Sequence, residues 1–326
     1  MAVYSPTGSG NVHIDVILTE LSIGFPNNGL VAEKLFPSVG VMKQSNKYYI
    51  FGKEAWLPES DVRAPGTEAN ELPGYALSTD SYYANEHSLQ IPVTDEERDN
   101  ADVPLNPDQD ATNLVTSKIL LGREVVMKNL ATATTNYATN YSRTLSGTQQ
   151  WDDYVNSNPI SDWRTGVRKI HSGLFLEPNV GVIPYVVMSV LEDHPDFIER
   201  IKYSERGILT PEIIGAILGM TDIVVPGTGI ATGNPGQTLT TGYLWGDDVV
   251  MAYVPGSPGQ KIPAYGYEFT WSYGGGLKQM VDRWREDKRK SDLVRCSRRY
   301  DVKMTALDAT GKQIAGYLIK DTTSAF

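Results

Sequence analysis

Two strand-like stretches held apart by a long polar tip constrain this chain more than any other feature. "NKYYIFGKEAW" at 46–56 and "EHSLQIPVT" at 86–94 both set aromatic or β-branched residues at alternate positions, the period of a β-strand. In the second, His87, Leu89, Ile91 and Val93 fall on one face and Ser88, Gln90 and Pro92 on the other. Between them runs "LPESDVRAPGTEANELPGYALSTDSYYAN", polar and broken by Pro and Gly, with only scattered apolar residues. A two-stranded ribbon of this kind cannot bury a face alone and is marginal in water. It needs a surface to lie on, and the rest of the sequence must say whose.

The 326 residues suffice for a real core and give a prior of about two domains. No apolar run approaches the roughly 18 residues of a membrane span. The start, "MAVYSPTGSGNVHIDV", has neither a basic nor an apolar signal region and does not read as a secretory leader. The single Cys296 excludes an internal disulfide and fits folding in a reducing compartment. With a net charge of −10 and a pI near 5.0, gripping a phosphate backbone is not the expected main task. The charge is uneven: residues 281–303, "VDRWREDKRKSDLVRCSRRYDVK", hold nine Lys/Arg against five Asp/Glu, leaving the remainder at −14. Opposed patches suit a subunit that meets copies of itself; the alternative is an ordinary solvated strand face.

Residues 1–12 read as a flexible arm, and 13–24 as either a short helix or an extended segment. "GLVAEKLFPSVGVM" reads as an extended stretch laid over something else. After an acidic loop comes the clearest helix, about 110–133, with Val115, Ile119, Val126 and Leu130 at helical spacing and Leu114, Leu121 and Val125 widening the stripe. Asp110 is its expected N-cap, and Gly122 inside it costs about 1 kcal/mol relative to Ala. From 157 to 260 the pattern is mixed α/β. A helix opens at Pro159 with Trp163, Val167, Ile170 and Leu174 on one face and Gly173 near its stop. "VIPYVVMSV" reads as a continuous buried strand, "DFIERIKYS" and "PEIIGAILGM" as helices, and "DIVVP" and "GYLWGDDVVMAYVP" as strands. The last third is strands: "AYGYEFTWSY", "LKQMVDRWRE", "DLVRCSRRYDVKMTA" and "AGYLIKD". In the third of these, Val294, Cys296, Tyr300, Val302 and Met304 form one stripe that Arg298 interrupts. The fold class is α+β.

No catalytic constellation stands out, and no cofactor or metal site is assigned. His13, His87, His171 and His194 lack metal-ligand spacing; His194 in "LEDHPDF" has carboxylate neighbours but reads as a locally bonded helix-boundary residue. "GTGIATG" at 227–233 has the wrong spacing for a dinucleotide loop, and "ATGK" lacks the glycine and hydroxyl of a phosphate loop. No G-x-S-x-G elbow is present, and nothing pairs Cys296 with a histidine. Asp95-Glu96-Glu97 and Asp152-Asp153 are adjacent acids, a poor proxy for two carboxylates across a cleft. Of the aromatic residues, Trp163 and Trp271 fall on patterned faces where core packing is the ordinary role.

Taken in order, the parts are a loose arm, a long ribbon, a long helix, an α/β block and a return to antiparallel strands. That series resembles the major capsid proteins of tailed bacteriophages with the Hong Kong 97 fold. "LVAEKLFPSVGVMKQSNKYYIFGKEAW" is similar to the lead-in to that family's extended loop, and "RAPGTEAN" to the segment within it. "PNVGVIPYVVMSVLEDHPDFIERIKYS" is similar to its α/β portion, and "YLWGDDVVMAYV" and "YDVKMTALDATGKQIAGYLIKD" to its later strands. The resemblance implies an N-terminal arm at 1–45, an extended loop at 46–94, a peripheral domain at 95–156 with the spine helix, an axial domain at 157–260, and peripheral return strands at 261–326. It implies pentamers and hexamers in an icosahedral shell around double-stranded DNA, without enzymatic activity, with the ribbon lying on a neighbouring copy. It also implies a virion protein assembled in the bacterial host cytoplasm, with a portal, a possible decoration protein and no membrane. Nothing resembles an N-terminal scaffolding region, which implies a separate scaffolding protein. Some members cross-link through a loop lysine; Lys47 and Lys53 lie near the ribbon, and neither is assigned that role. The alternatives are an encapsulin-like compartment and, from another class, a phage-encoded hydrolase or carbohydrate-binding protein.

Overall fold

The computed structural model describes residues 29–51, 58, 61–69, 71, 77–101, 105–202, 209–231, 233, 240–259, 262–272 and 278–324. The expected arm at 1–12, the undecided segment at 13–24 and Lys53 lie outside the described residues.

The described chain begins with one helical turn, α1 (Ala32–Leu35), and a strand, β1 (Ser38–Val41). The extended reading of this stretch therefore holds only for its second half. The ribbon follows as β2 (Ser45–Phe51) and β3 (Leu77–Tyr83), antiparallel from Ser45↔Tyr83 to Phe51↔Leu77. Strand β4 (Asn85–Thr94) carries the stretch expected to close the ribbon, yet it pairs elsewhere. It leaves the ribbon after Ala84 and runs antiparallel to a strand of the C-terminal third, from Thr94↔Ser291 to Asn85↔Tyr300. Its alternation gives the reason: Ile91 and Val93 need an apolar surface, and Val294, Ala111, Val115 and Ile119 provide one.

A turn of helix, α2 (Asp95–Asp99), is held by a Thr94/Glu97 capping box. The long helix, α3, spans Pro107–Thr132; its 26 residues run about 39 Å. It starts before Asp110. Asn106 is the cap, accepting from the Gln109 N–H at 3.3 Å, and Pro107 takes a first-turn position where its missing N–H costs nothing. The buried face is Ala111, Val115, Ile119, Arg123, Glu124, Met127 and Ala131, so Val126 and Leu114, expected in the stripe, are exposed. Arg123 and Glu124 occupy the seam instead, and the apolar pattern read around them shifts by about a third of a turn.

The α/β block contains β5 (Ser142–Thr144), α4 (Pro159–Leu174), β6 (Val180–Val182), α5 (Tyr185–Asp193), α6 (Pro195–Ile201) and α7 (Pro211–Leu218). Strands β7 (Asp222–Val224), β8 (Gly229–Ala231), β9 (Thr241–Tyr243) and β10 (Val249–Ala252) follow. Helix α4 is built as expected: Asn158 caps it, Pro159 opens it, Trp163, Ile170 and Leu174 are buried, and Phe175 ends it in the left-handed region at φ 56°. "VIPYVVMSV" is not one strand. Pro184 has no N–H to continue a ladder and is set at the N-cap, so β6 stops and α5 begins. "GYLWGDDVVMAYVP" likewise divides, with a turn at 244–247 between β9 and β10.

The chain ends with β11 (Gly266–Trp271), β12 (Gln279–Glu286), β13 (Ser291–Met304) and β14 (Gly316–Lys320). One five-stranded sheet contains β1, β11, β13 and β12 with β4 along β13, and α3 packs across it. The other runs β5-β14-β10-β6-β7 and is covered by α4. A single large core joins Met127 and Ala131 of α3 to the second sheet through Tyr265, Trp163 and Met251. The ribbon β2–β3 stands apart as a two-stranded sheet of its own.

Candidate assembly surface

The root of the ribbon is fastened to its own chain. Tyr82 stacks on Phe269 with ring centroids 4.7 Å apart and planes at 15°, and Tyr48 packs on the same ring at 5.4 Å. Val39, Val41, Ala264 and Tyr267 complete this small cluster. The Tyr82 hydroxyl donates to the Lys43 carbonyl at 3.3 Å, the Tyr83 N–H to Asp301 at 2.9 Å, and the Ala84 N–H to the Gln44 carbonyl at 2.8 Å. Burial, then the Asp80 carboxylate, pushes the Tyr48 phenol well above its usual range, so it stays neutral and donates to Asp80 at 2.8 Å.

Beyond the root the cover ends. Residues 61–69 are all exposed and closed only by a local turn, in which the Thr67 N–H reaches the Ala64 carbonyl at 3.2 Å and Arg63 reaches the Thr67 carbonyl at 2.8 Å. Met42 is 98% exposed and Val62 80%; Tyr83 and Leu89 also face solvent beside the ribbon. Lys47 is exposed on β2.

Besides its apolar contacts, α3 meets the root's sheet through a buried charge cluster. Glu268 of β11 is fully buried and accepts from both Arg123 and Arg298. Arg123 Nε and Nη2 reach it at 3.0 and 2.5 Å, and Arg298 Nη2 at 3.0 Å. Arg123 also touches the exposed Glu33 of α1 at 3.4 Å. One turn position on, Glu124 accepts from the Val31 and Ala32 N–H groups at 3.0 and 3.1 Å and from Trp245 Nε1 at 2.9 Å. Two adjacent helix residues thus bind α1, the root sheet and the β9–β10 turn. The signal was present: Arg298 breaks an apolar strand stripe, and Arg123-Glu124 break an apolar helix stripe. A buried arginine predicts a buried acid, and Glu268 is the one that fits.

The basic stretch 281–303 is not a free patch. Every arginine in it has a carboxylate of the same chain within 4.0 Å. Arg285 grips Asp95 at 2.5 and 2.6 Å, and Arg283 pairs with Asp292 and with Asp108 at 3.2 Å. Arg98 bridges Asp108 at 2.7 Å and Asp292 at 2.8 Å. Hydrogen bonds from Arg285 and Arg283 hold Asp95 and Asp292, respectively, below the usual carboxylate range. This network ties Asp95, Arg98 and Asp108 to β12 and β13.

The other residues singled out in the sequence are dispersed. His194 is buried, its Nδ1 accepting from the Asp196 N–H at 3.2 Å to cap α6 and its Nε2 bonded to Ser157 at 3.1 Å; burial lowers its pKa. His87 stacks on Tyr300 at 4.3 Å, and His171 lies on α4 beside Phe175. His13 lies outside the described residues. Cys296 is buried under Val115 and Ile119. Asp153 accepts from the N–H groups of Val155 and Asn156 at 3.1 Å, and Asp152 bonds Ser324. Trp163 is core, and Trp271 is half-buried with Arg299 over its ring at 4.5 Å. A tight acidic group that was not anticipated joins Asp247, Asp248 and Asp321, with ligand oxygens within 4.8 Å of one another and Lys320 3.9 Å from Asp248. Desolvation pushes Asp248 up to about 6.

No protein-family model matches the chain. The major capsid protein of Burkholderia phage BcepMu is 30% identical over 312 residues, which span 94% of this chain and 95% of that one. The chain belongs to the phage major capsid protein family. A solved phage-related protein of Bordetella bronchiseptica RB50 is 26% identical, with a TM-score of 0.69 over 95% of this chain and 97% of that one. The mature capsid of bacteriophage PhiM1 shares the fold at 11% identity and a TM-score of 0.57, covering 98% of this chain and 96% of that one. The SrpI encapsulin of Synechococcus elongatus PCC 7942 does so at 9% identity and 0.51, covering 96% and 97%. As a major capsid protein the chain is a structural component of a viral capsid, and its α+β architecture is that of phage capsid subunits. A capsid subunit must meet its copies, and residues 61–69, between the two ribbon strands, are all exposed.

Proposed function

We propose that the chain assembles as pentamers and hexamers into an icosahedral phage head that encloses double-stranded DNA, in a Hong Kong 97-like arrangement. The arm is 1–45, the extended loop 46–94, the peripheral domain 95–156 with α3 as its spine, the axial domain 157–260, and the peripheral return 261–326. Within the loop, β4 belongs to the subunit's own sheet, so the part that reaches a neighbour is β2, β3 and the tip between them.

The observation that carries this reading is the contrast along the ribbon: a stacked, hydrogen-bonded root, and residues 61–69 between its strands, all exposed around a local turn. An isolated two-stranded ribbon does not persist in water by itself, and a second copy supplies the missing surface. The protein would act without catalysis, in the virion, after assembly in the bacterial host cytoplasm with a separate scaffolding protein, a portal and possible decoration protein.

Expression with the neighbouring phage head genes, followed by negative-stain microscopy, tests the reading. Closed shells with pentameric and hexameric capsomers are the expected result. A protein that stays monomeric in every assembly condition contradicts it.

A further inference from the structure

Helix α4 is pressed against the second sheet. A Cβ on Gly166 would come within 2.6 Å of Met251 Sδ and 2.8 Å of the Tyr317 ring, and one on Gly173, two turns on, would strike the Tyr141 hydroxyl. With those two glycines on the sheet, the adjoining helix face, Thr165, Arg168, Lys169 and Ser172, becomes one wall of an open cleft of about 440 Å³. Ser142 and Arg143 of β5 form the facing wall, set in place by the pairing of β5 with β14.

The cleft's charge is unlike that of the rest of the chain. Arg143 is fixed by its pair with Asp162, whose second oxygen accepts from Trp151 Nε1 at 3.2 Å. Arg168 bonds only neighbours on its own helix, the Arg164 carbonyl at 3.2 Å and the Thr165 hydroxyl at 3.4 Å. The Lys169 ammonium stands 5.2 Å from the centre of the Tyr141 ring. Among the described residues neither Arg168 nor Lys169 has a carboxylate within 4.0 Å, whereas every arginine of 281–303 has one. Two cations of this cleft therefore stand without a carboxylate partner among the described residues, which is true of no arginine in the stretch richest in that residue.

We propose that this cleft binds a phosphate group. Three cations face one carboxylate, leaving an excess that an oxyanion neutralises, and a guanidinium beside an ammonium is chemistry suited to phosphate oxygens. A carboxylate from a second copy is the competing occupant. Of the seven carboxylates in the densest acidic stretch, 95–110, Asp95 and Asp108 are held by arginines of their own chain. The net charge of −10 repels a polyanion at long range, so attraction acts within about a Debye length and is steep in salt. The proposal rests on the shell reading only for the source of the phosphate, a nucleic-acid backbone.

The test uses unassembled full-length subunit, so that shell formation, scored separately by microscopy, does not enter. Binding of a fluorescein-labelled 20-base-pair duplex is followed by anisotropy across a salt series, with inorganic phosphate as competitor. Arg168→Gln with Lys169→Gln is expected to weaken binding about tenfold near 50 mM salt and to lower the salt slope by roughly 0.9 per lost contact. Arg168→Lys, which keeps the charge, is expected to retain most of the affinity, and matched melting curves confirm that each variant folds. Displacement by millimolar phosphate identifies a site for free phosphate; displacement only by duplex identifies the backbone as source, and either supports the cleft. No measurable duplex binding by the wild type, or a double variant with unchanged affinity and slope, overturns the proposal. So does a double variant that alters subunit association in sedimentation while binding duplex normally, which assigns the cleft to another copy's carboxylates.

Discussion

Tyr82 lies nearly flat on Phe269, centroid to centroid at 4.7 Å, joining the end of strand β3 to strand β11 of the subunit's own sheet. That stack anchors the root of the ribbon to the subunit's own body. On the subunit side the backbone is hydrogen-bonded through Ala84 and Tyr83; on the other side residues 61–69 are in solvent. The stack is worth about 0.5–1.5 kcal/mol beyond area burial.

Tyr82→Ala should therefore loosen the ribbon without unfolding the body. Removing a buried aromatic costs about 3 kcal/mol, roughly a hundredfold in opening. Hydrogen exchange is expected to speed by that factor at amides 45–51 and 77–83, with α3 unchanged. Equal acceleration in α3 would show that the root is not a separable unit.

Glu268→Gln should unsettle the body itself. The substitution keeps shape but leaves Arg123 and Arg298 buried without their counter-charge, a loss of about 3–5 kcal/mol. Urea denaturation is the measurement, and a shift under 1 kcal/mol would show that water or Glu33 replaces the carboxylate.

Much of this architecture could be read from the sequence. Apolar period and turn chemistry located α4, with Pro159 at its start, and β13 with its alternating stripe. Failures fell where a tertiary partner overrode a local pattern. "VIPYVVMSV" is apolar throughout, so periodicity cannot tell a buried strand from a buried helix, and Pro184 decided it. Residues 86–94 have a strand's alternation but nothing in it names β13 as partner instead of 46–56. Asp110 has the chemistry of an N-cap, but Asn106, directly before Pro107, holds that position. Of the candidate assembly surface, the first strand of the ribbon was legible, but its return strand, Leu77–Tyr83, sits in the stretch that reads as polar tip; the Glu268–Arg123–Arg298 cluster was visible only as two polar interruptions, and the α4 cleft not at all, since its cations are dispersed over 143–169.

Asp248 should give stability a reversed pH dependence over a narrow window. Its folded pKa, raised by desolvation to about 6, stands above its ordinary 3.8, so folding takes up a proton between those values. The stabilising effect is complete below pH 3.8 and is lost as pH rises through 6, by at most about 3 kcal/mol. Asp248→Asn, which mimics the protonated form, is expected to be more stable than wild type at pH 7.5 and equal to it near pH 4. Greater wild-type stability at pH 7.5 would show that the Lys320 contact outweighs desolvation.

The central claim is that the ribbon beyond Tyr82 finds its cover on another copy. The most direct measurement replaces residues 58–71 with a short Gly/Ser turn, leaving the root intact, and images the product by electron microscopy under conditions in which the wild type assembles. The account predicts a folded, soluble subunit with a wild-type melting profile and no closed shells. Intact shells of normal size from that variant would contradict it.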